Sequence, residues 1–261
     1  MVRLLSGVAL AALALTCIWF LSPAQLLVVT LGVAWLAFSE YVRIAAGIGV
    51  QVPWLPALLA TLAACAMVPF PWVAIESVLG LGLLAIAVWV LWAGRHGPEA
   101  LHDAGAGILA PVYLGLPLGA LVATLGIGGR RAVLLLIATV AVSDSAQYYS
   151  GRTFGKRPLA PRVSPKKTIE GALGGFVIAP LFLAAAAPYA LPQPAPVPAL
   201  IGLGLVLVLA GICGDLFESL LKRAANLKDS GHIIPGHGGV LDRIDALLFC
   251  APIFYFALRA L

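Results

Sequence analysis

The sequence predicts an all-α fold: a polytopic transmembrane helical bundle of about nine helices. Three observations predict it. Of 261 residues, 62% are hydrophobic and only 10% are charged, against roughly 25% charged in a soluble domain. That leaves too little polar surface to cover a water-facing globule. Apolar runs near the ~20 residues a span needs follow one another along the chain. Lys and Arg are shared unevenly between the two sides of those runs, as the positive-inside rule requires.

The runs fall at about 4–21, 25–46, 55–70, 72–93, 106–125, 131–149, 171–190, 198–217 and 244–261. The first begins after Arg3 and ends before Ser22-Pro23-Ala24. It is longer than the roughly 7–15 apolar residues of a signal peptide and is expected to stay as the first membrane helix. The third and fourth runs part at Pro69-Phe70-Pro71, and the seventh and eighth at the Pro-rich stretch 192–198. Proline interrupts a helix and favours extended neighbours at both places. Trp19, Trp54, Trp72 and Trp92 stand near run ends, where an aromatic belt places them.

With a cytoplasmic N-terminus and nine alternating helices, 13 of the 16 Lys and Arg lie inside and 3 outside. Arg130 and Arg131 go against the rule. The net charge of +5 is therefore read as topology and lipid contact, with no nucleic-acid partner expected. The four cysteines, Cys17, Cys65, Cys213 and Cys250, are far apart and form no CxxC pair. They suggest neither a zinc site nor a disulfide framework and are read as small packing residues. The organisation expected is N-terminal transmembrane helices over 1–130 and a C-terminal catalytic region over 131–261. Residues 144–245 hold 7 of the 11 acidic residues, so function is sought there.

Charges beside a membrane helix are costly and usually functional. Asp144 follows the apolar stretch of the sixth run and Asp215 that of the eighth, while Asp242 and Asp245 open the ninth. The expected topology brings all four to a similar depth at the cytoplasmic interface, the candidate active site. Asp242 and Asp245 are three apart and share a helix face. Asp215, Glu218 and Lys222 step by three and four and form one stripe. Carboxylates at one depth repel unless a cation sits among them, and hard oxygen ligands suggest Mg²⁺, alone or with a second cation. The competing reading pairs each acid with a nearby Lys or Arg.

Two loops add to this. Residues 228–239 read KDSGHIIPGHGG, and glycine backbone such as Gly238 and Gly239 lets N–H groups approach a phosphate. The loop precedes a helix N-terminus, which favours anions. Residues 164–171 read SPKKTIEG. Here Thr168 could cap the seventh helix, with Lys166 and Lys167 just before it, a place that can hold a phosphate.

The run Ser219 to Asp245 closely resembles the signature of the phosphatidate cytidylyltransferase family. It has Ser219-Leu220-Leu221-Lys222-Arg223, then Lys228-Asp229, then Pro235-Gly236-His237-Gly238-Gly239-Val240-Leu241-Asp242-Arg243-Ile244-Asp245. Residues 144–151 and 164–171 resemble two further family segments. The first has Ala146-Gln147 where the family more often has Gly-Ala, which leaves the role of Gln147 open.

The resemblance implies transfer of CMP from CTP to phosphatidate, a divalent metal, and a homodimer in a bacterial-type inner membrane. It maps the metal carboxylates to Asp215, Asp242 and Asp245. Nucleotide and phosphate contacts map to Asp144, Ser164, Lys166, Lys167, Lys222, Arg223, Lys228, Asp229, His237, Gly238 and Gly239. His237 is a candidate for acid–base work, for holding the glycine loop, or for contacting the nucleotide. The first 140 residues match the family only in apolar character, so Glu40 takes no role from the resemblance. Two rival readings stand beside this one. A CTP-dependent enzyme could act on another lipid acceptor, or the chain could transport an anionic solute, although no repeated pair of interrupted spans is present.

Overall fold

The structure is a computed structural model that describes residues 2–231, 233 and 238–260. Its elements are α1 (Val2–Phe20), α2 (Pro23–Gly47), α3 (Trp54–Met67), α4 (Ile75–Trp92), α5 (Pro98–Ala110), α6 (Leu116–Phe154), α7 (Ile169–Ala190), α8 (Val197–Ala224) and α9 (Leu241–Ala260). A π-helical turn, Pro111–Gly115, joins α5 to α6. One antiparallel hairpin, β1 (Pro158–Ala160) with β2 (Ser164–Thr168), interrupts the helical order. Among the described residues, five stretches are long and apolar enough to cross a membrane: Pro23–Gly47, Ile75–Trp92, Pro98–Phe154, Ile169–Ala190 and Val197–Ala224. Shorter apolar helices cover Gly7–Phe20 and Trp54–Met67. The protein is thus an all-α polytopic membrane protein carrying one small hairpin.

Three details differ from the sequence reading. The runs read at 106–125 and 131–149 belong to one stretch starting at Pro98 and broken by non-helical backbone at Gly129, φ 72° and ψ −178°. A side chain resists that positive φ, and glycine does not. Helix α8 runs on to Ala224, beyond the apolar residues that marked its expected end. The hairpin was not foreseen.

The chain divides into two compact units, Met1–Ala123 with Leu221–Ile244, and Thr124–Leu220 with Asp245–Leu261. The single cut expected at 130 does not describe this division, because the segment Leu221–Ile244 belongs with the N-terminal helices.

In the first unit, α2 starts with a capping box in which Ser22 and Gln25 satisfy each other's backbone N–H groups. Its buried face carries Ala34, Ala37, Phe38, Tyr41 and Ile44. Helix α3 lies tight against the π turn and the start of α6. A Cβ on Gly115 would stand 2.5 Å from the Thr61 carbonyl oxygen, and one on Gly119 2.6 Å from that of Cys65. Small residues permit this approach, which is how membrane helices gain packing energy. Pro111 has no N–H to give to the ladder, a physical reason for a widened turn there. Asp103, fully buried, accepts from the Gln51 amide at 2.7 Å and pairs with Arg95 at 2.8 Å, so the acid is neutralised where it is buried. Helix α4 exposes Leu81, Leu84, Val88, Leu91 and Trp92, a face suited to lipid and too apolar for water.

In the second unit, Thr168 caps α7 as expected, its hydroxyl accepting from the Gly171 amide at 3.1 Å. Ala172, Ala179, Val208 and Ile212 form a core between α7 and α8, with Leu159 of β1 against it. A Cβ on Gly204 would stand 2.5 Å from Cα of Pro180. Helices α8 and α9 meet as closely, since a Cβ on Gly214 would lie 2.5 Å from the Asp245 carbonyl oxygen. Cys250 donates to the Leu207 carbonyl at 3.3 Å, which matches its reading as a packing residue. All four cysteines are free.

Candidate active site

Within the second unit, the candidate residues come from α6, the hairpin, α8 and α9. Pairing of Pro158 with Thr168 and of Ala160 with Ser164 sets the register of β2. Side chains alternate along a strand, so the adjacent lysines diverge. Lys166 is exposed, whereas Lys167 reaches Asp215 of α8 with Nζ 2.5 Å from Oδ2. The other Asp215 oxygen accepts from the Ser219 hydroxyl at 3.4 Å. Asp144 on α6 interacts electrostatically with both Lys167 and Asp215. Asp245 accepts from the Ala246 amide at 2.8 Å. The base of the hairpin is tied down by Glu170, which accepts from the amides of Lys156 at 3.0 Å and Arg157 at 3.1 Å. Gln147, whose role the sequence left open, donates to Ser143 at 3.0 Å. It also packs where a Cβ on Gly175 would be, 2.8 Å from its Cγ.

Within the first unit, Lys222 and Asp242 form a buried pair 2.5 Å apart, with side chains 10% and 7% exposed. The second oxygen of Asp242 accepts from the Ser230 amide at 2.9 Å, the Ser230 hydroxyl at 2.9 Å and the Gly239 amide at 2.8 Å. Burial pushes the Asp242 carboxyl up, but the Lys222 ammonium and the Gly239 and Ser230 amides outweigh burial and hold it down at about 2. The Gly239 amide, offered to a phosphate by the sequence reading, is engaged here by Asp242. Gly238 takes φ +83°. Arg223 is exposed and donates to the Leu227 carbonyl at 3.1 Å. Lys228 and Asp229 are exposed on the loop. His237, with His232, Pro235 and Gly236, lies outside the described residues.

One participant escaped the sequence reading. Glu40 of α2, 4% exposed, accepts from the Val240 amide at 2.9 Å, the Leu241 amide at 2.8 Å and the Ser230 hydroxyl at 2.8 Å. The signal that could have found it was an acid in an apolar helix with Arg43 three residues on.

These carboxylates bear on a metal in different ways. Among the described residues, no three His, Cys, Asp or Glu side chains gather closely enough to form a metal cage. Mg²⁺ does not need one, since it keeps several waters and commonly takes one or two carboxylates plus substrate phosphates. Asp215 is the more accessible carboxylate, its side chain 35% exposed, with Lys167 on one oxygen and only a long 3.4 Å contact from Ser219 on the other. Asp242 is saturated by its own donors and could take a metal only after Lys222 moved off it.

The fold and these residues define a polytopic membrane protein in which Asp215 and Asp242 are each paired with a lysine. The comparisons with known proteins sharpen this. The model of the cytidylyltransferase family matches residues 1–261, and the chain belongs to that family. It is 41% identical over 152 residues to the phosphatidate cytidylyltransferase of Bacillus subtilis (strain 168), covering 58% of this chain and 56% of that one. It is 34% identical over 186 residues to that of Staphylococcus aureus (strain COL), covering 70% of each. The uncharacterized protein YnbB of Escherichia coli (strain K12) is 43% identical over 137 residues, 51% of this chain and 44% of that one. The chain spans about half the length of the first of the curated relatives it matches.

Proposed function

We propose that the protein is a phosphatidate cytidylyltransferase, transferring CMP from CTP to phosphatidate to give CDP-diacylglycerol and pyrophosphate. The observation that carries this reading is the run Ser219–Asp245, whose lysine and aspartate signature residues form the buried pair Lys222–Asp242.

In the proposed reaction a phosphate oxygen of phosphatidate attacks the α-phosphorus of CTP. The new P–O bond forms as the bond to the β-phosphate breaks, and pyrophosphate leaves. Phosphatidate is already anionic near neutral pH, so positioning and charge neutralisation carry the rate more than a strong base does. Lys166, Lys167, Lys222 and Arg223 bind phosphate oxygens, with Lys228, Asp229, Ser164 and Asp144 as further substrate contacts. His237 stays a candidate for nucleotide contact or proton transfer. Asp215 and Asp245 are the proposed metal carboxylates; Asp242, the third expected from the resemblance, is held by Lys222 within its own unit. Mg²⁺ bound there would draw off charge developing on the departing pyrophosphate. The acyl chains stay in the bilayer of a bacterial-type inner membrane, CTP arrives from the cytoplasm, and the working form is a homodimer.

The test is purified protein in detergent with Mg²⁺, CTP labelled in the cytidine, and a panel of lipid acceptors. The expected result is label in CDP-diacylglycerol, pyrophosphate in equal amount, and preference for phosphatidate. Label in a different CDP-lipid would move the assignment to another acceptor. No label in any lipid, from folded protein, would overturn it.

A further inference from the structure

We propose that Glu40 is a positioning residue for the Lys222–Asp242 pair, acting through Ser230, with room for its carboxylate left by Gly231 and Gly239. The assay, but not the geometry, rests on the cytidylyltransferase reading.

An acid 4% exposed on an apolar helix is expensive unless donors surround it. Glu40 has three, and two of them are the amides of Val240 and Leu241. These open α9, where N–H groups have no partner within the helix and the dipole favours a negative charge. Helix α9 is therefore capped by a carboxylate from α2, 200 residues earlier in the chain. The third donor is Ser230, itself fully buried. Its hydroxyl lies 2.8 Å from Glu40 and 2.9 Å from Asp242, and its single proton serves one of them at a time. Arg43, on the same face of α2 as Glu40, donates to the Ser230 carbonyl. Helix α2 thus grips Ser230 by side chain and backbone, while Ser230 and Gly239 fix the carboxylate that holds Lys222.

The glycines have a matching explanation. A Cβ on Gly231 would collide with Oε1 of Glu40, and one on Gly239 with Oε2 of Glu40 and with the Ser230 hydroxyl. At these two places the glycine-rich loop makes room for a carboxylate of the chain itself.

The test is a double-mutant cycle on the full-length protein in detergent, with Glu40→Ala, Gly231→Ala and the double variant, and with Glu40→Gln as the conservative change. The readouts are the thermal unfolding midpoint, and kcat and KM for each substrate at a temperature where every variant is folded. Glu40→Ala is expected to lose at least tenfold in kcat/KM while folded, and Glu40→Gln, which keeps one acceptor oxygen, to fall in between. Gly231→Ala is expected to cost at least fivefold in the wild type and distinctly less in Glu40→Ala, where the carboxylate is gone and only the Gly239 Cα, 3.0 Å away, remains to be met. Equal losses in both backgrounds would overturn the proposal. So would a Glu40→Ala protein that is less stable but kinetically normal. If the wild type turns over no CTP, the functional reading fails separately. The same cycle on the unfolding midpoint still decides whether Glu40 and Gly231 are coupled.

Discussion

Replacing Lys222 by Met keeps the length of the side chain and removes its charge, leaving Asp242 with its backbone and hydroxyl donors only. The Asp242 carboxyl sits at about 2 against 3.8 for the free group. At 1.36 kcal/mol per tenfold, this is on the order of 2 kcal/mol in favour of the charged form, net of burial. Removing one member of a buried pair costs roughly 3–5 kcal/mol. The Ser230 and Gly239 amides stay bonded to Asp242, which points to the lower end, about 3 kcal/mol. At roughly 2–4 °C per kcal/mol for a chain near this size, the unfolding midpoint in detergent should fall by about 6–12 °C. The double variant Lys222→Met/Asp242→Asn removes both charges of the pair and keeps an acceptor oxygen for the Ser230 and Gly239 amides, so it should recover part of that loss while remaining inactive. Differential scanning fluorimetry beside a CTP-incorporation assay reads both quantities. A Lys222→Met protein within 1 °C of wild type, or a double variant no more stable than the single one, would refute the reasoning.

Three further outcomes are expected. Because the Asp242 carboxyl is depressed on folding, its stabilisation is present above about pH 4 and fades as pH falls toward 2; the gap in unfolding midpoint between wild type and Lys222→Met should narrow across that window. Gly214→Ala places a Cβ 2.5 Å from the Asp245 carbonyl oxygen and 3.0 Å from the Phe249 ring. It should cost about 1–3 kcal/mol, whereas Gly202→Ala on the same helix, with nothing within 4 Å, should be neutral or stabilising in the same unfolding assay. Asp245→Asn should leave the protein folded in the membrane and remove CTP incorporation, and EDTA should do the same to wild type until Mg²⁺ is restored. Normal turnover by Asp245→Asn at matched protein levels would remove Asp245 from the metal assignment.

The helices were legible because hydrophobicity over some 20 residues needs no knowledge of partners. The gap read between 125 and 131 contains the break at Gly129. The same ruler failed where polarity begins before the helix ends. Asp215, Glu218 and Lys222 continue the helical spacing of α8, but its apolar run stops at Gly214. The hairpin was hidden because Pro158–Ala160 is only three residues long and SPKKT lacks the apolar–polar alternation of a half-buried strand. That Asp215 and Asp242 need partners could be read from cost alone. Their lysine partners could not be chosen, because Lys167 is 48 positions from Asp215 and only folding selects it over Lys166. Glu40 was missed for a similar reason. Its donors lie near the other end of the chain, and searching where acids are dense looks away from a solitary one.

The capping of α9 by Glu40 also bears on how the protein is made. At about 5–20 residues per second, α2 leaves the ribosome roughly 10–40 seconds before the amides of Val240 and Leu241 exist. During that interval the nascent second helix carries an acid awaiting its hydrogen-bond donors. A chain that stops before residue 240 lacks both amides, so its Glu40 would have neither of the backbone donors that hold it in the finished protein.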